Sequence, residues 1–208
     1  MVGNLRKYFS IREVLDMYPN IFLDTNVFLG FISHIEINRK EDYIQTVILK
    51  EKLFDFWISA FKENPGINIT ENIFGELKKN FLCPKQEYTE VKEIKHRINH
   101  KKSYFLNDLP LERIIDRNTI KQKDIYDKLH EKYCYFTKPF GKVKGIGMKD
   151  YDLLILGATF YELGRDICLI SNDIGILRCH NSFLKGENID RRDFGYFIQK
   201  GLNFFEKV

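Results

Sequence analysis

Apolar and polar positions along the chain sort into short continuous runs and longer stretches of helical period. Residues 8–18 carry apolar positions at helical spacing, and Ile21, Phe22 and Leu23 follow as an unbroken apolar run of the kind a buried strand shows. The helical pattern resumes over 24–32. Residues 42–62 form a long amphipathic stretch with Ile44, Val47, Ile48, Phe54, Ile58 and Phe61 on one side, broken by Asn64-Pro65-Gly66. A short strand is expected over 67–69, with Thr70 as the N-cap of a helix over 71–82 that Pro84 ends. Residues 85–136 read as helices punctuated near 107–110. The stretch 137–149, TKPFGKVKGIGMK, has three glycines, four lysines and no acid, and reads as a loop. YDLLILGATFYELG (151–164) is apolar on most sides, hence a buried helix with Gly164 as its C-terminal stop. A second apolar strand is expected over 167–170, and residues 192–207 read as helical.

Strands alternating with helices predict an α/β domain with a parallel sheet and right-handed crossovers. The 208 residues suit one domain, 1–208, in which a basic helical insertion at about 84–147 packs beside the sheet. No apolar run approaches the ~20 residues that span a bilayer. The charged N-terminal stretch lacks a secretory apolar core, so the expected compartment is the cytoplasm, with no membrane partner. Cys83, Cys134, Cys168 and Cys179 show no CxxC pairing, which favours free thiols over disulfides or a zinc site.

Charge changes the picture. Between Pro84 and Lys149 there are 16 Lys/Arg against 9 Asp/Glu, while the whole chain carries only +4. A basic middle between acidic ends fits a phosphate-rich partner meeting a site that itself needs carboxylates. It also fits a solvated helical face.

Four acids stand where a ligand site would form. Asp24 follows the first strand, at the carboxyl end where open α/β sheets bind ligands. Asp173 repeats that situation after the second strand, beyond Ser171 and Asn172. Asp152 opens the buried helix that crosses into that strand, although capping and the helix dipole also favour Asp there. Glu76 borders the apolar face formed by Ile73, Phe74, Leu77 and Phe81. Asp150 competes with Asp152, which is preferred because it directly precedes the apolar run, and Asp150 is kept as an auxiliary. Carboxylates gathered in one place repel one another unless a cation compensates, and oxygen-only donors favour Mg²⁺ or Mn²⁺. GKVKGIG (141–147) lacks P-loop spacing, but Lys138, Lys142, Lys144 and Lys149 adjoin the acids and are candidates for holding substrate phosphates.

These segments resemble the PIN-domain nuclease family. LDTNVFL (23–29) looks like its first acidic motif, ITENIFGEL (69–77) like its helical glutamate motif, and DLLILGATFYELG with LISND (152–173) like its paired-aspartate half. The likeness covers residues 20–82 and 148–180; residues 84–147 have no counterpart, and Ser171 stands where the family often has Thr. The resemblance implies a three-layer α/β/α fold around a central parallel sheet. It also implies metal-binding and catalytic roles for Asp24, Glu76, Asp152 and Asp173, an ordering role for Asn26, and RNA as substrate. Toxin-like and RNA-processing nucleases are both open, the former requiring a separate inhibitor protein. The alternatives are a catalytically inactive RNA-binding or assembly module, and a phosphatase. The phosphatase would need a second carboxylate soon after Asp24, which Thr25, Asn26 and Val27 do not provide.

Overall fold

The computed structural model describes residues 11–29, 40–79, 89–118, 120–138 and 144–197. Its centre is a five-stranded, all-parallel sheet of β1 (Asn20–Leu23), β2 (Ile67–Thr70), β3 (Ile114–Ile115), β4 (Ile167–Ile170) and β5 (Phe194–Phe197) in the order β3-β2-β1-β4-β5. Helices flank it, giving the expected three-layer α/β/α arrangement: α1 (Ile11–Met17), α2 (Thr25–Leu29), α3 (Lys40–Glu63), α4 (Glu71–Lys79), α5 (Thr89–Asp108), α6 (Lys123–Tyr133), α7 (Met148–Glu162) and α8 (Ile174–Glu187). Every residue of β2 and β4 is buried, as strands covered on both faces must be. Among the described residues no helix is long and apolar enough to cross a membrane.

The chain builds β1, β2 and β3 in one direction, then returns to place β4 on the other side of β1. The order therefore reverses between β1 and β4. In such sheets the helical connections diverge at that point and leave a crevice beyond the carboxyl ends of the two strands.

Helix α7 carries the core of the domain, with Tyr151 through Phe160 all buried. Its end follows from Gly164, which takes the left-handed conformation (φ 72°) that a side chain would strain. Thr70 caps α4 as expected, its hydroxyl accepting from the Ile73 amide at 3.3 Å.

Two expectations are corrected. The stretch from 192 was read as helical, yet Phe194–Phe197 is an edge strand paired along its whole length with β4. A four-residue aromatic run carries no period that separates helix from strand, and the ladder offered by β4 decides it. Gly195 has a packing reason: a Cβ there would meet the Tyr18 hydroxyl at 2.7 Å. The segment 85–136 was read as helices only, yet it also supplies β3, which extends the sheet beside β2. Arg113 anchors that strand. Its guanidinium donates to the carbonyls of Ile67 (2.9 Å), Asn64 (2.7 Å) and Phe61, so this part of the insertion is continuous with the sheet. The outer parts of the predicted helices over 8–18, 24–32, 71–82 and 192–207 fall outside the described residues, as do Cys83 and Lys142.

Candidate functional site: a carboxylate cluster at the sheet edge

Asp24 continues β1 by one residue, its amide donating to the Ile170 carbonyl at 3.1 Å, and its side chain is 6% exposed. One carboxylate oxygen accepts from Ser171 Oγ (2.6 Å) and Asn26 Nδ2 (2.5 Å). Asn26 in turn accepts the Asn172 amide at 3.0 Å, and Ser171 Oγ accepts the Asp173 amide at 3.0 Å. The loops after β1 and β4 are thus one hydrogen-bonded unit. Burial pushes the Asp24 carboxyl above its ordinary range and the Asp173 charge adds to this, against the bonds from Ser171 and the local backbone.

Asp173 is the N-cap of α8. Its Oδ1 accepts from the amides of Gly175 (2.5 Å) and Ile176 (3.2 Å), which fixes the carboxylate at the positive end of the helix.

Glu76, on the second turn of α4, is held from two sides. Thr25 Oγ1 donates to Oε2 at 2.5 Å, and the Lys149 ammonium bonds Oε1. Burial raises its carboxyl, but the Lys149 and Thr25 bonds outweigh that and the net direction is down.

Asp150 and Asp152 meet different surroundings. Asp150 is half-buried, and its carboxyl is pushed up to about 6 by burial and then by the charges of Asp24, Asp173 and Glu76. It is the acid of α7 on which the charges of the other three act. Asp152 is 2% exposed and lies elsewhere: Tyr126 OH donates to Oδ1 (2.9 Å), Asn72 Nδ2 to Oδ2 (2.8 Å), and Arg117 stands 3.9 Å from Oδ2. It borders a small cavity of about 90 Å³ with Thr70, Glu71, Asn72, Asp116 and Arg117. The physical reason is helical geometry. Residues i and i+2 project roughly 200° apart around the axis, so only one of the two can face the end of β1. Preceding the apolar run gave no direction, because that helix is buried on every side.

Of the residues singled out in the sequence, the structure links Asp24, Glu76, Asp173 and Asn26 in one network and gives Asp152 separate partners in Tyr126 and Asn72. It gave no role to Thr25 or Ser171, the donors that orient Glu76 and Asp24. Their signal was present as polar residues interrupting otherwise apolar strand ends. Among the described residues no three His, Cys, Asp or Glu side chains form a ready-made ion cage. Two larger cavities, about 430 and 480 Å³, contain none of the clustered acids.

The basic segment is less available than its composition suggests. Arg97 forms a two-pronged bond to Glu51 on α3 (2.9 and 2.8 Å), Lys101 bonds Glu51 and Asp55, Lys132 pairs with Glu187, and Arg113 is taken by backbone carbonyls. Of the lysines proposed for substrate, Lys149 pairs with Glu76, while Lys138 and Lys144 are exposed. Tyr133 and Phe136 are core residues. Compared with family models, curated proteins and solved structures, the chain matches none.

Proposed function

We propose that this chain is a divalent-metal-dependent nuclease that hydrolyses phosphodiester bonds, with RNA as substrate. One observation carries the reading: at the carboxyl ends of β1 and β4 hydrogen bonds through Thr25, Asn26 and Ser171 tie together the segments that bear Asp24, Glu76 and Asp173, and the charges of these three act on Asp150. The donor set fits the metal. It is oxygen-only, which suits Mg²⁺ or Mn²⁺, and neighbouring charges raise the proton affinity of Asp24 and Asp150. When bound, such an ion lowers the pKa of an attacking water and stabilises a leaving oxygen.

The chain's own residues do the rest by orientation. Ser171 and Asn26 fix the Asp24 carboxylate, the first amides of α8 fix Asp173, and Thr25 fixes Glu76. Held in place before substrate arrives, these groups need little reorganisation during reaction. Lys144, exposed on the loop leading into α7, is the candidate for holding backbone phosphates. The preference for RNA over DNA comes from the resemblance to PIN-domain nucleases. That resemblance also leaves open a toxin-like role, with a separate inhibitor protein, and an RNA-processing role.

A labelled single-stranded RNA incubated with Mn²⁺, Mg²⁺ or EDTA, beside an aryl phosphate, tests the reading. The expected result is ion-dependent RNA cleavage, absent in Asp150→Asn, with the aryl phosphate untouched. RNA binding without cleavage under every ion condition would instead identify an inactive binding module.

A further inference from the structure

Both oxygens of Glu76 are engaged by donors of this chain, Oε2 by Thr25 and Oε1 by the Lys149 ammonium. Lys149 lies in the first turn of α7, one residue before Asp150, whose electrostatic neighbours are Asp24, Asp173 and Glu76. Among the described residues it is the only Lys, Arg or His ion-paired with any of these four acids. Its side chain is 53% exposed, so the ammonium can leave Glu76 for solvent without disturbing the core.

We propose that Lys149 is the resident counter-cation of the carboxylate cluster, and that a divalent ion taking its place on Glu76 displaces it. The proposal rests on the metal-dependent reading above. A divalent ion and an ammonium on the same carboxylate repel across a few ångströms, so the two occupancies exclude each other. In the metal-free protein Lys149 limits the repulsion among the acids. Once displaced, the ammonium stands at the mouth of the crevice, on the side from which a phosphate backbone approaches. The exchange keeps the cluster compensated in both states and sets the ion affinity below what the acids alone would give.

Calorimetric titration with Mn²⁺, without RNA, on the wild type, Lys149→Met, Lys149→Arg and Lys144→Met tests this. An ion pair of this exposure corresponds to a few-fold effect, so Lys149→Met is expected to bind Mn²⁺ about three- to fivefold more tightly. Lys149→Arg and Lys144→Met should stay close to wild type. Melting temperatures give a second readout. Lys149→Met should fall below wild type in EDTA and match or exceed it in Mn²⁺, whereas a lysine with only a structural role would lower both. Unchanged or weaker Mn²⁺ binding by Lys149→Met, beside clear binding by the wild type, would overturn the displacement and leave the metal reading standing. An equal gain in Lys144→Met would reduce the effect to general charge and overturn it too. A wild type that takes up no Mn²⁺ would remove both readings.

Discussion

Asp150 and Asp152 lie two residues apart on α7 and belong to different environments: Asp150 faces the charges of Asp24, Asp173 and Glu76, while Asp152 accepts hydrogen bonds from Tyr126 and Asn72. The same residue type thus meets different surroundings about half a turn apart, and substitution tests whether their roles differ as well. Asp150→Asn should lower RNA cleavage by at least about 10²-fold, the scale of losing one preorganised charged group, with the fold intact. Asp152→Ala should instead cost stability, about 2–4 kcal/mol, because it leaves the buried Tyr126 hydroxyl and Asn72 amide without their acceptor. Its activity per folded molecule should stay within a few-fold of wild type. Thermal unfolding and single-turnover cleavage on both variants check this, and the reverse pattern would return Asp152 to the site.

The neighbouring acids repel one another, and pH should show it. The Asp150 carboxyl sits at about 6 in the folded chain against 3.8 in the unfolded one, so the folded state binds more protons between those values. Stability from this group therefore falls as pH rises through that window, and the cost is full above about 6. Asp150→Asn should be more stable than wild type in EDTA at pH 8, by about 1 kcal/mol after allowing for solvent screening, with the gain gone below pH 4. Urea unfolding at the two pH values measures it.

His180 should produce the opposite slope. It is 2% exposed; Nε2 donates to the Phe194 carbonyl at 3.1 Å and Nδ1 has no hydrogen-bond partner among the described residues, so the ring is held neutral. Burial, with Arg191 nearby, lowers its pKa to about 4 from 6.5. The unfolded state then binds the extra proton first, and stability is lost as pH falls from about 6.5 toward 4. His180→Gln keeps a donor for Phe194 and cannot titrate. It should flatten that acid limb by about 2–3 kcal/mol relative to wild type, read from urea midpoints across the window.

Phosphate contacts should come from exposed lysines and not from the whole basic segment. Lys138→Ala and Lys144→Ala should each reduce the slope of log affinity against log salt for single-stranded RNA by about 0.7. Lys101→Ala, which breaks the bonds to Glu51 and Asp55, should lower the melting temperature and leave that slope alone. Filter binding in EDTA across a salt series distinguishes the two classes.

Local chemistry fixed a good part of this protein before any contact was known. Continuous apolar runs announced β1 and β4, the short segment after Gly66 announced β2, Thr70 its capping role, and Gly164 the end of α7, because each depends on a few adjacent residues. Acids placed just past strand ends marked Asp24 and Asp173, since a parallel sheet brings the carboxyl ends of its strands to one edge. Tertiary structure decided the rest. Strand β3 is two residues long, and β5 breaks its aromatics with Gly195 and buries only half its residues, so neither shows the continuous buried run that marked β1 and β4; they exist because β2 and β4 present unpaired edges to them. The choice between Asp150 and Asp152 turned on the rotation of a helix buried all round, which no hydrophobic pattern reports. How many basic residues remain for a partner depended on which of them α3 and the ends of the strands had already engaged, and sequence composition counts charges without their partners.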